Sequence, residues 1–175
     1  YVQPAPFVFS QIMVPTTDSV KYQSALAHMA SRKPILFVGE SGTSKTVCVS
    51  AYLAQLDNET NSTLTMGFSS RTTSMDVQVN IEANVDKRAG NVYGPPVGKK
   101  LVIFIDDMNM PKVDTYGTQQ PITLLLTLMS RGFIYDRVKD LNQKLLKDLQ
   151  QIGAMGPPGG GRNPVDPRFT ALFNV

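Results

Sequence analysis

Apolar positions along the chain alternate between helical spacing and short unbroken runs. In "TTDSVKYQSALAHMASRK", Tyr22, Leu26 and Met29 recur at helical spacing behind Thr17, which can cap, so a helix is predicted to end near Arg32. "PILFVG" is a short apolar run bounded by Pro34 and Gly39, the mark of a buried parallel strand, and "SKTVCVSAYLAQL" after it reads as a helix. "STLTMGFSS" alternates as a second strand, and Ser74 opens a predicted helix through "MDVQVNIEANVDKR" with Val77, Ile81 and Val85 on one face. Beyond the turn-rich "AGNVYGPPVGKK", "LVIFIDD" runs five apolar residues into two carboxylates and is the most strongly marked buried strand. Pro121 fits the first turn of a helix through "ITLLLTLMS", and Gly132 fits its end.

From Tyr135 to Gln151 the pattern is ambiguous: Leu141, Leu145 and Leu149 fit a helix, whereas "LQQIGAMG" reads as a strand running into a loop. "GPPGGGRNPVDPRF" is a loop by composition, and "FTALFNV" is expected to be a fifth strand. Repeated strand and helix segments imply an α/β sandwich around a mostly parallel sheet.

Composition adds bounds rather than chemistry. A chain of 175 residues fits one domain and buries a substantial core without disulfides or metals. The hydrophobic fraction of 42% against 18% charged residues is globular, and apolar runs such as Leu101 to Ile105 are too short to span a bilayer, so a soluble protein with no membrane partner is expected. Seventeen basic residues against 14 acidic ones, a net charge of +3, are spread without a block of like sign, and no nucleic-acid partner is expected. Cys48 is the single cysteine and His28 the single histidine, so the sequence offers neither a disulfide framework nor a Cys/His metal spacing, and a reducing compartment is the expectation. Packing of Cys48 between helix and sheet is favoured over redox chemistry. The opening "YVQPAPFVFS" lacks the pattern of a secretory signal, and the chain is expected to be cut from a longer one.

Candidate chemistry gathers at "GESGTSKT", residues 39–46. The pattern G-x-x-x-x-G-K-[ST] wraps phosphates in backbone N–H groups, places a lysine on the terminal oxygens and puts a hydroxyl on Mg²⁺. Gly39, Gly42, Lys45 and Thr46 supply those parts within Gly39, Glu40, Ser41, Gly42, Thr43, Ser44, Lys45 and Thr46; the departure is Ser44 where a second glycine belongs. Serine lacks glycine's freedom at positive φ, but at the helix start an ordinary conformation would suffice. About 60 residues later, "LVIFIDD" has the form of a strand whose acid supports the metal, a role that falls to Asp106. Asp107 stands where a hydrolytic site would place a glutamate, one methylene longer, which argues for slow hydrolysis.

"FVGESGTSKT", "SSRTTSMDVQ", "IDDMNMPKVDTYGTQQP" and "GPPGGGRNPVDPRF" together resemble the third AAA+ module of dynein heavy chains, with variants of the axonemal branch, across nearly the whole chain. The resemblance implies the large α/β subdomain of a P-loop NTPase of AAA+ type: a three-layer sandwich on a parallel five-stranded sheet, order 5-1-4-3-2. Residues 1–33 would form the lead-in and first helix, and the lid subdomain would lie outside this chain. It implies ATP or ADP with Mg²⁺ as ligands, with Lys45 and Thr46 on phosphates and metal, Asp106 supporting Mg²⁺ and Asp107, with Lys45, in the catalytic position. Met13 and Val14 in "IMVPT" match the segment lining the adenine pocket, although core packing accounts for them equally well.

The implied partners are neighbouring AAA+ modules and, through the full motor, intermediate and light chains and microtubules of the ciliary or flagellar axoneme. The position matching the polar sensor of AAA+ ATPases is Gly156, a second departure at the hydrolytic end. Arg168 in "DPRF" matches the arginine presented to a neighbouring module, and Arg162 is an equal candidate. A regulatory nucleotide-binding module is therefore the leading reading. A structural ring spacer with a degenerate pocket is the alternative, and a small-molecule phosphotransferase shares the loop but lacks an identifiable acceptor site.

Overall fold

The computed structural model describes residues 14–30, 32–138 and 141–174. The first helix, α1 (Thr17–Met29), begins behind Thr16, not Thr17: the Thr16 hydroxyl accepts from the Ser19 N–H while the Ser19 hydroxyl accepts from the Thr16 N–H, a reciprocal capping box. Of the apolar positions read as its face, Leu26 is buried, whereas Tyr22 is half exposed and rests edge-on against Phe37.

Next come strand β1 (Ile35–Val38) and helix α2 (Lys45–Gln55), then β2 (Asn61–Gly67) and helix α3 (Ser74–Glu82). Thr73 and Asp76 cap α3 in a second capping box. That helix stops short of the predicted end because Ala83 and Asn84 turn the chain back on its last carbonyls. Val85 lies outside it, though packed on the same core, and Asp86–Lys87 form strand β3.

The chain continues through β4 (Val92–Gly94), β5 (Lys100–Asp106) and α4 (Gln120–Arg131), with Pro121 in the first turn and Gly132 at φ 73° closing the helix. Strands β6 (Phe133–Tyr135), β7 (Gln143–Leu146) and β8 (Leu149–Met155) follow, and the short helix α5 (Pro167–Thr170) comes last.

Four strands form the main sheet in the order β1-β8-β5-β2, all parallel. The expected five-stranded sheet is corrected on this point. "FTALFNV" does not become a strand, because Asp166 caps a helical turn at Pro167 and Phe169 and Phe173 turn into the core edge-to-face. Of its described residues only Asn174 reaches the sheet, in an isolated parallel bridge to Ile35, so the order 5-1-4-3-2 is not realised as five strands among the described residues.

Alternation along β5 sets up the layers. Leu101, Ile103 and Ile105 face one core with Val77 and Ile81 of α3 and Ile122 and Leu125 of α4, while Val102 and Phe104 face the other with Leu26 of α1 and Val49 of α2. A second sheet, β3-β4-β7-β6, is absent from the sequence reading. The leucines that suggested a helix are distributed over a turn and one strand of each sheet: Leu141 sits at φ 50°, Leu145 in β7 of the second sheet and Leu149 in β8 of the main one.

Candidate functional site

Because β8 lies between β1 and β5, the segments leaving the carboxyl ends of these three strands meet at one edge of the sheet. The Gly39 N–H donates to the Met155 carbonyl at 3.2 Å, which ties the start of the loop after β1 to the end of β8. Residues 41–47, Asp106, Asp107, Gly156 and Arg162 line a cleft of about 340 Å³ there, within the range of small-molecule sites.

Lys45, the first residue of α2, folds over the loop it follows. Its Nζ donates to the carbonyls of Gly39 (2.8 Å) and Glu40 (2.7 Å) and to Thr43 Oγ1 (3.2 Å), while the Thr43 hydroxyl donates to the Glu40 carbonyl at 2.8 Å. The ammonium is thereby held over the loop at the amino end of an 11-residue helix, where the helix dipole favours an anion.

Thr46, one residue on, donates its hydroxyl to Asp106 Oδ2 at 2.7 Å, joining the helix start to the end of β5. The other carboxylate oxygen, Oδ1, accepts the Asp107 N–H at 3.0 Å.

Two backbone conformations here depart from expectation. The sequence leaves Ser44 an ordinary conformation at the helix start; the structure holds it at φ 60°, ψ 19°, the left-handed geometry glycine would take, with no side-chain cap bond. Asp107 also lies at positive φ, 51°. Aspartate and asparagine tolerate that region better than longer side chains, so the short acid at this position has a backbone reason as well as a chemical consequence.

The two arginines part company. Arg168 is exposed at the start of α5, its N–H bonded to Asp166 Oδ1 at 2.8 Å, and stands outside the cleft. Arg162 turns into the cleft of its own chain, where Nη2 donates to Ser41 Oγ at 2.8 Å. Its path crosses Gly156: a Cβ on Gly156 would lie 2.6 Å from Arg162 Nε and 2.7 Å from Cδ. Val14 is 63% exposed and outside the lining, and Met13 lies outside the described residues. Burial pushes the Cys48 thiol up from its ordinary pKa, away from reactivity at neutral pH.

Sequence reasoning missed Asn109. Buried near the start of the loop after β5, it donates Nδ2 to the Gly156 carbonyl at 2.7 Å, and its own carbonyl accepts the Asn163 N–H at 2.9 Å. Gln119 and Asn163 both donate to the Pro111 carbonyl, at 2.8 and 2.9 Å, and lock the same loop. The signal was present in "MNMP", which contributed to the resemblance without a role for its asparagine.

Strand, phosphate-binding loop and helix, with an acid at the end of β5, one strand removed from β1, bonded to the helix's first hydroxyl, define a P-loop nucleotide-binding architecture. RuvB of Thermotoga maritima, as a point mutant, shares the fold over 93% of this chain and 45% of that one, with a TM-score of 0.54 at 14% identity. The profile described as "P-loop containing dynein motor region" matches residues 1–175, and the chain belongs to that AAA+ family. It is 56% identical over its whole length to the dynein-1-alpha heavy chain of the flagellar inner arm I1 complex of Chlamydomonas reinhardtii, and 54% identical to the human dynein axonemal heavy chain 10. It spans 4% of the length of each of these relatives. Among the described residues no helix is long and apolar enough to cross a membrane.

Proposed function

We propose that this chain is a nucleotide-binding module of an axonemal dynein heavy chain, the third of its motor ring, holding ATP or ADP with Mg²⁺ in a mainly regulatory role with slow or conditional hydrolysis. The observation that carries the reading is the Thr46–Asp106 hydrogen bond beside a lysine fastened over its own phosphate loop. Kinship with axonemal heavy chains supports a place in the ring beside neighbouring modules, and in a motor that moves along microtubules of a cilium or flagellum with its intermediate and light chains.

The donor set fits the ligands. A hydroxyl and a carboxylate 2.7 Å apart are hard oxygen donors suited to Mg²⁺, which takes few protein ligands and completes its shell with phosphate and water. Thr46 and Asp106 would hold the ion, which supplies charge neutralisation to phosphate oxygens. Lys45 would exchange its loop carbonyls for phosphate oxygens, and Asp107, exposed on the cleft, would accept a proton from an attacking water. Its reach is one methylene shorter than a glutamate's, which supports slow turnover.

The test is Lys45→Ala in the intact heavy chain, read by photolabelling with an azido-nucleotide and mapping of the labelled peptides. Loss of label from this segment is expected; undiminished label would overturn the reading.

A further inference from the structure

Arg162 is anchored toward the phosphate loop of its own chain by more than its bond to Ser41. Gly159, Gly160 and Gly161 all have positive φ, at 119°, 57° and 87°, and the resulting turn is closed by paired backbone bonds between Gly159 and Arg162. Asn109 holds both ends of the segment, binding the Gly156 carbonyl with its side chain and the Asn163 N–H with its backbone. The stem of Arg162 then fills the space over Gly156 that any side chain there would need.

The guanidinium is only partly satisfied where it ends. Nη2 has Ser41, whereas Nε is buried without a protein hydrogen-bond partner. A buried donor on a permanent cation is costly to leave unpaired, and a guanidinium presents its donors as a planar fork suited to phosphate oxygens. It shares the cleft with Lys45, Thr46, Asp106 and Asp107, the residues that the nucleotide-binding reading puts beside the phosphates and the metal.

We propose that Arg162 is a ligand in cis for the terminal phosphate of a nucleoside triphosphate held in its own chain's cleft, with Gly156 kept small to admit it. The inference rests on the nucleotide-binding reading above. It assigns Arg162 to this cleft in place of a neighbouring one, and it makes the site sense triphosphate against diphosphate without a polar side chain at residue 156.

The test uses the intact heavy chain and competition of unlabelled ATP or ADP against an azido-nucleotide mapped to this segment. Arg162→Gln keeps the first part of the stem over Gly156 and a polar end, but it is two bonds shorter than the Nη2 that reaches Ser41 and carries no charge. It is expected to weaken ATP about tenfold or more while ADP changes less than about threefold, the scale of one charge-assisted bond. Gly156→Ala, which displaces the arginine, should reproduce that selective loss and add nothing when combined with Arg162→Gln. Equal weakening of both nucleotides, or no change, overturns the assignment of Arg162 and leaves the nucleotide site standing. Absence of label from the unaltered protein overturns both.

Discussion

The hydroxyl of Thr46 donates to the carboxylate of Asp106 at 2.7 Å across 60 residues of sequence, and this bond ties the helix after the phosphate loop to the end of β5, across the intervening β8. Thr46→Val removes the donor and a candidate metal ligand while keeping the branched shape. Nucleotide affinity measured with Mg²⁺ should fall by about tenfold or more, the scale of an interaction with a charged group, and affinity in the presence of a chelator should stay within about twofold. Equal losses in both conditions would mean that the threonine serves packing alone.

Ser44 carries the strain of the loop. A non-glycine residue in the left-handed region costs roughly 1–2 kcal/mol, and glycine's extra freedom in the unfolded chain returns roughly 0.5–1 kcal/mol of that. Ser44→Gly is therefore expected to stabilise the chain by up to about 1 kcal/mol, about 2–4 °C in Tm for a domain of this size. Calorimetry checks it, and a lower Tm would show that the serine contributes a stabilising contact in the folded chain.

The loop, the acidic strand and the main helices were legible because each is a local pattern: an apolar run ending in glycine, a run ending in carboxylates, proline at one helix end and glycine at the other. The second sheet was not, since its strands span two to four residues and leave no period to read. Residues four apart share a face in a strand as well as in a helix, so Leu141, Leu145 and Leu149 did not distinguish the two. At the site, Lys45, Thr46 and Asp106 follow from spacing. The inward turn of Arg162 depends on three glycines and a buried asparagine 47 residues from its partner Gly156, a relation no local window contains.

Phe169 tests the corrected C-terminal segment. It is wholly buried against Phe173, in a helical turn where a strand was expected. Phe169→Ala should destabilise by about 3–5 kcal/mol, read by denaturant midpoint. A cost below about 1 kcal/mol would mean that this turn is not part of the core.

Asp107 separates backbone from chemistry. At φ 51°, asparagine is as compatible as aspartate, while glutamate lacks the short side chain that eases the left-handed region. Asp107→Asn should leave Tm within about 1 °C, and Asp107→Glu should lower it by about 1–3 °C, for a cost of order 0.5–1 kcal/mol. If glutamate proves as stable as aspartate, the short acid is explained by function and not by the turn.

The cap of α3 fixes a dependence on acid. The Asp76 carboxylate accepts from the Thr73 N–H and from the Thr73 hydroxyl, both at 2.8 Å, and these bonds, the backbone one foremost, hold its pKa below the ordinary carboxylate value despite a small opposing desolvation. A folded-state pKa lower than the unfolded one means that the unfolded chain binds the proton more tightly. The stabilisation is therefore fully present above the ordinary value of about 3.9 and is lost as pH falls through the lower folded value. Asp76→Asn cannot offer the same charged acceptor. Its Tm should lie below that of the unaltered chain at pH 7, and the gap should close as both are titrated below about pH 4. A gap independent of pH would show that the charge on Asp76 contributes nothing and that the cap rests on the Thr73 hydroxyl and its bond to the Asp76 N–H at 3.2 Å.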